Sequence, residues 1–371
     1  MDTPPQTQPE PPARRTDPDV VLRGTDHLLG SLPHLLGYRP GRSVVVMAST
    51  PADGARPGLR RAVVRMTARL DLPAADDALD AVLGLLQPLS RLARDAGDGP
   101  VLLHTFVLEA DEDAAAAVCA AVACLADEVG IVLHDLVLVR DGDYLALVAG
   151  GADDLDGQAR WLPVPAPADV PAVADLVLMG RSVVDSREVV AAGVRHRDER
   201  AAAATALALE LLGLAPETYD PVDALRRLGR WVVVGEDEPA PRDRARIVVA
   251  LDDRWLRDAV MARWLPQLFT VEEVLAEDLA REVRRAVPPW PTRDAGALDR
   301  LLGLAARVPR EQAVPLLTVA GAVAWGTGEG TIANEAVDLA LETDASYTMA
   351  GLLRQALDRG IPPWVARAGA A

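Results

Sequence analysis

The sequence predicts a mixed-sheet α/β domain in the N-terminal part and a mostly α-helical domain in the C-terminal part. Two patterns carry that prediction. Up to residue 149, Val-rich or alternating runs are interrupted by helical stripes. Beyond residue 170, helical periodicity takes over almost completely. All seven Trp lie from residue 161 onward, which gives the second domain the bulkier core.

Residues 1–18 are rich in Pro, Thr, Gln and charge and read as a disordered tail. Residues 20–22 suggest a short edge strand, and Thr25 or Asp26 a cap for the first helix. Residues 28–48 then read as an apolar helix, a glycine stop at Gly37, a Pro40-Gly41 turn of the type II pairing, and a strand buried on both faces. Residues 62–70 alternate with period two, as a strand with one wet face does. Residues 74–96 form a helix with Leu79, Val82, Leu83, Leu86, Leu89 and Leu92 on one stripe. A strand at 101–109, an Ala-rich helix at 112–129 and a strand at 131–140 follow. Asp141-Gly142 signals a tight hairpin into a strand at 144–149. This order predicts two crossover units with a hairpin at either end.

Residues 150–170, rich in Gly, Asp and Pro, read as a linker. Residues 172–359 fit a series of helices, with single helices expected over 243–264 and 271–287. Residues 231–234 are open between helix and strand. The predicted domains are therefore 19–149 and 171–363, with 364–371 as a second tail.

The net charge of −17 argues against nucleic acid or an anionic membrane as a partner, and no apolar run is long enough to span a bilayer. The N-terminus lacks an apolar signal-peptide core, so the expected location is cytoplasmic, with Cys119 and Cys124 as buried free thiols. Every basic residue is arginine, since the chain contains no lysine. That excludes Schiff-base lysines and the lysine-dependent P-loop and protein-kinase nucleotide sites. No nucleophile elbow, zinc-ribbon spacing, calcium loop or dinucleotide fingerprint is present, so no metal and no cofactor are expected. His104 and His134 fall inside apolar strands and read as satisfied core histidines.

Two groups of residues are candidates for a site. Tyr38, Arg39, Arg42 and Ser43 flank the Pro40-Gly41 turn, with Arg69, Asp71 and Arg140 available from neighbouring strands. Gly326, Gly328, Gly330, Thr331 and Asn334 form a glycine-spaced approach to a helix whose free amides can hold an anion. A glycine C-cap followed by a Thr N-cap, with close helix contact, accounts for the same residues without a ligand.

Several of these segments together resemble the domain of unknown function 4192 family of actinobacteria. The resemblance is carried by Asp26-His27-Leu28-Leu29, by Leu32-Pro33-His34-Leu35-Leu36-Gly37-Tyr38-Arg39-Pro40, and by Ser43-Val44-Val45-Val46. Arg69-Leu70-Asp71-Leu72-Pro73, Val139-Arg140-Asp141-Gly142, Ser186-Arg187-Glu188, the 325–334 segment and Ala345-Ser346-Tyr347 extend it over most of residues 20–363. The resemblance implies no function. Members of that family carry a Cys-Cys-Pro segment after the hairpin strand, but here 150–154 reads Gly-Gly-Ala-Asp-Asp. A metal or redox role for that segment therefore does not carry over to this chain.

The sequence does not assign an enzymatic activity. Its leading reading is a cytoplasmic, non-enzymatic interaction or regulatory protein with an unknown protein partner. The alternative is a small-molecule-binding protein or enzyme whose site lies between the two domains and uses Arg39, Arg42, Arg69, Asp71 and Arg140.

Overall fold

The computed structural model describes residues 20–51, 62–95, 100–149, 160–214, 219–291, 294 and 296–361. The expected tails at 1–18 and 364–371 and the first part of the 150–170 segment lie outside these residues.

The N-terminal half is a six-stranded mixed sheet. Its strands are β1 (Ser43–Pro51), β2 (Ala62–Asp71), β3 (Leu102–Leu108), β4 (Val132–Arg140), β5 (Asp143–Ala149) and β6 (Leu162–Pro163), in the order β2-β1-β3-β4-β5-β6. β1 runs antiparallel to both β2 and β3, β3 and β4 are parallel, and β5 is antiparallel to β4. This is the predicted pattern of two crossovers between two hairpins. The β4–β5 turn places Asp141 at φ 53° and Gly142 at φ 82°, as a two-residue hairpin loop with both residues left-handed requires.

α2 (Ala78–Asp95) and α3 (Glu112–Glu128) cover one face of the sheet, packing on Val44, Val46, Leu103 and Val107. α1 (Gly24–Leu36) covers the other, where Leu28, Leu29 and Leu32 meet Val45, Met47, Phe106 and Val137. β1 is therefore apolar on both faces.

Local details differ from the expectation. Residues 20–22 form no strand. The first helix has no side-chain cap, and the Thr25 hydroxyl instead reaches into the sheet. Gly37 ends α1 in the left-handed region as expected, but Gly41 does not enter that region, so the turn is not type II. On α2, Val82, Leu86 and Leu89 are fully buried while Leu79 and Leu83 are exposed, so the stripe that meets the sheet is narrower than the sequence stripe. Cys124 is exposed because Val118, Val122 and Leu125 take the inward face of α3. The end of the expected linker is not free chain: β6 pairs with β5, and Val170 is buried against Gly30.

The C-terminal half is helical. It comprises α4 (Pro171–Leu178), α5 (Arg187–Arg195), α6 (Glu199–Leu214), α7 (Pro221–Gly229), α8 (Pro241–Asp252), α9 (Arg254–Trp264), α10 (Val271–Val274), α11 (Glu277–Ala286), α12 (Gly296–Ala306), α13 (Val314–Thr327), α14 (Gly330–Thr343) and α15 (Thr348–Asp358). The helix expected over 243–264 divides at Asp253, whose side chain accepts from the Trp255 amide and starts α9 afresh. The helix expected over 271–287 divides between α10 and α11. The ambiguous 231–234 stretch belongs to a π-helical turn, Arg230–Val234. Every residue from Val314 to Ala324 is buried, so α13 is apolar on all sides and the other helices wrap around it. No helix among the described residues is long and apolar enough to cross a membrane.

Candidate functional site

Of the residues predicted to form a site, the structure brings Tyr38, Arg69, Asp71 and Thr331 together. Tyr38 is buried, and the Arg69 guanidinium lies 6.0 Å from its ring centroid. Arg69 in turn pairs with Asp71 at 2.6 Å. Burial pushes the Tyr38 hydroxyl up, against the pull of Arg69 and a hydrogen bond with Thr331. Arg42 forms an exposed ion pair with Asp111 at 2.9 Å, and Arg140 donates to the Ala110 carbonyl at 2.6 Å. Ser43 is spent on its own turn, donating to the Gly41 carbonyl at 2.8 Å. The Arg39 side chain is exposed, and its amide donates to the Val184 carbonyl at 3.0 Å. Arg42 and Arg140 thus find their partners at Asp111 and Ala110, and, Thr331 aside, none of these side chains lines the cleft described below.

The glycine segment is a joint. A Cβ at Gly326 would stand 2.3 Å from Leu265 Cδ2, and Gly328 ends α13 at φ 82°. Thr331 is not the N-cap of α14; that position belongs to Glu329, whose carboxylate pairs with Arg181. The chain's own ion pair thus occupies the start of the helix. Asn334 donates to the Gly330 carbonyl and accepts from Arg354.

A cleft of about 1250 Å³ lies between the halves; of the predicted residues, Gly326 and Thr331 line it. Its walls are the end of α1, residues 179–184, α5, the end of α9, α12, and the α13–α14 joint with Gly326, Glu329 and Thr331. Trp264 and Trp290, packed edge-to-face at 5.2 Å, form one apolar side. Among its arginines, Arg181 is paired with Glu329, Arg284 with Glu272 at 2.8 Å, and Arg307 with Glu238 at 3.1 Å. Arg263 donates from Nε to the Val287 carbonyl, and no ion pair to it is found among the described residues. Burial and the neighbouring Arg284 both disfavour its charge, against Glu272. Asp299 is exposed as a residue, and partial shielding pushes its carboxyl up, opposed by Arg300 and assisted by Asp294.

Sequence reasoning did not anticipate a second polar cluster, at the opposite end of the sheet from Arg42. Ser49, His104 and Asp135 come from β1, β3 and β4, and all three are buried. Ser49 Oγ lies 3.0 Å from His104 Nε2, and His104 Nδ1 is hydrogen-bonded to the Asp135 carboxylate. Thr25 donates to the other carboxylate oxygen at 2.8 Å, and His134 Nδ1 lies 3.2 Å from Asp135 Oδ2. Burial opposes the Asp135 charge, but its partners His104, Thr25 and His134 outweigh it and hold the carboxyl below its usual range. The expectation that His104 is a satisfied core residue is met. The order serine–histidine–aspartate is also that of a nucleophile, its base and the group that orients the base. Ser49, however, is only 2% exposed, so no substrate reaches it in this conformation. The sequence signal was an Asp and two His inside apolar strands; the register that brings them together was not readable there.

A family model described as "Domain of unknown function (DUF4192)" matches residues 26–364, most of the chain. No curated protein and no solved structure matches it.

Proposed function

The chain belongs to the DUF4192 family, and we propose that it binds a small organic anion in the cleft between its two halves. The observation that carries this reading is the Arg263–Arg284 pair. Two guanidiniums share that wall with one paired carboxylate, Glu272, leaving a local positive charge inside a chain of net charge −17. Arginine presents donors that match a carboxylate or phosphate, and Trp264 and Trp290 offer an apolar surface for the rest of the molecule. This reading takes up the alternative drawn from the sequence, a site between the two domains, with a different set of residues. It is also compatible with a regulatory role, because a ligand seated there touches both halves.

One observation favours a protein partner as well. Val177, Leu178 and Met179 at the end of α4 are exposed, Leu178 by 84%, beside the cleft mouth.

Native mass spectrometry of the chain isolated from its own host tests the ligand reading. The expected result is an organic anion bound one to one, absent from a folded Arg263→Ala variant. An empty wild type, or the same ligand on both proteins, contradicts it.

A further inference from the structure

We propose that His104, His134 and Asp135 form a binding site for a divalent transition metal of the Zn²⁺ class. The site is distinct from the cleft. Its basis is an irregularity in the register of two parallel strands.

β3 and β4 pair as Leu103 with Leu133, and then His104 with Asp135. His134 is the extra residue of a β-bulge. In a regular strand, adjacent side chains point to opposite faces. The bulge breaks that alternation, so that His134 and Asp135 both reach the space beside His104. Bulges re-aim side chains in this way, and they are uncommon between parallel strands.

The outcome is a convergence of donor atoms. One ring nitrogen of His104, one of His134 and one Asp135 carboxylate oxygen all lie within 4.8 Å of one another. His134 Nδ1 and Asp135 Oδ2 are 3.2 Å apart. Ligands about 2.0–2.1 Å from a tetrahedral ion stand roughly 3.3 Å from each other. His134 and Asp135 already keep that spacing, and His104 Nδ1, hydrogen-bonded to the same carboxylate oxygen, draws back as the ion replaces the shared proton. Two imidazoles and one carboxylate match the donor preference of Zn²⁺ and its neighbours, with a fourth position left for water.

The surrounding hydrogen bonds match as well. A metal-bound histidine characteristically donates its other ring N–H, and a metal-bound carboxylate is itself hydrogen-bonded. His104 Nε2 faces Ser49 Oγ at 3.0 Å, and Asp135 Oδ1 accepts from Thr25. One proton relocates between the two states. Without an ion, His104 carries it on Nδ1 and donates to Asp135, while Nε2 accepts from the Ser49 hydroxyl. With the ion on Nδ1, the proton sits on Nε2 and is donated to Ser49 Oγ. His134 is 26% exposed at its side chain, whereas His104 and Asp135 are buried, so the ion reaches the site past His134.

The test uses the full chain, stripped with a chelator and then titrated with Zn²⁺ against a chromophoric competitor; Co²⁺ is added separately for its visible spectrum. The expected result is one ion per chain, with tetrahedral Co²⁺ absorption. His134→Ala, at the partly exposed edge of the cluster, should lose the ion while keeping its circular dichroism and melting profile. Asp135→Asn should also lose it. Ser49→Ala should keep the stoichiometry with about 10–100-fold weaker binding. A wild type that takes up no ion, or a His134→Ala chain that binds as the wild type does, overturns the proposal. So does covalent labelling of Ser49 by a fluorophosphonate in the stripped protein, which would make the cluster a serine-nucleophile site.

Discussion

Arg181 pairs with Glu329, 148 residues further along the chain, and donates to the Thr327 carbonyl at 3.1 Å. One side chain from the segment after α4 thereby fixes the α13–α14 joint. The same segment meets the end of α1: His34 Nδ1 lies 3.1 Å from the Arg181 carbonyl, and Tyr38 forms an isolated bridge with Val184. Three stretches distant in sequence are locked at the border of the cleft.

Arg181→Ala should therefore lower the stability of the whole chain. Both partners are largely shielded from solvent, and the loss leaves Glu329 and the Thr327 carbonyl without this donor. The expected cost is roughly 1–2 kcal/mol by urea unfolding, together with faster hydrogen exchange at both residues 36–39 and 325–331. Unchanged exchange at either segment would show that the contact does not couple the halves.

At the glycine joint, two substitutions should act by different physics. Gly328→Val forces a β-branched residue into the left-handed region and should cost roughly 1–3 kcal/mol. Gly326→Ala places its Cβ 2.3 Å from Leu265 Cδ2, so the buried Leu265 side chain must shift. Leu265→Ala, combined with Gly326→Ala, should recover part of the loss relative to the sum of the two single effects. Strict additivity in that double-mutant cycle would refute the steric account.

The two thiols should differ in reactivity. Burial pushes the Cys119 thiol up to about 11, whereas Cys124 is exposed. Two units above the ordinary value mean about a hundredfold less thiolate near neutral pH. Thiol titration of the native chain should modify Cys124 first and Cys119 far more slowly, and Cys124→Ser should abolish the fast phase. A fast phase that survives in that variant contradicts this assignment.

Asp299 gives a pH dependence of defined sign. It is an exposed residue whose carboxyl is raised by partial shielding, so its contribution to stability is small and screened by solvent. That contribution is fully present below the unfolded value, about 4, and is lost as pH rises through the folded value. Asp299→Asn removes that loss. The variant should gain in urea midpoint over the wild type at pH 7, and the gain should vanish well below pH 4. A pH-independent difference would mean the substitution acts through packing instead.

How much of this was legible in the sequence follows from the range of the forces involved. β1, the Asp141-Gly142 hairpin and the Gly37 stop are set by neighbours in sequence, and each was read from composition and turn chemistry. The splits at Asp253 and between α10 and α11 were missed because the apolar periodicity continues through them, while a single cap or turn breaks the backbone. The sites were less legible for a different reason. Of the set Arg39, Arg42, Arg69, Asp71 and Arg140, Arg42 pairs with Asp111, Arg69 with Asp71, and Arg140 donates to the Ala110 carbonyl. Arg263 and Asp299 carry no local motif, and only the packing of α9, α11 and α12 places them on one cleft. The His104–Asp135 pairing depends on a bulge, which shifts register by one residue and leaves no mark in strand composition.

The cleft itself is tested most directly by a thermal-shift screen of small carboxylates and phosphorylated metabolites on the full chain, run beside Arg263→Ala. At about a hundred times its dissociation constant, a specific ligand should stabilise the wild type by roughly 2.7 kcal/mol. The account predicts at least one such anion, with the gain lost in Arg263→Ala while the variant's own melting stays cooperative. If no anion stabilises the wild type, or if one stabilises both proteins equally, the cleft is not the anion site described above.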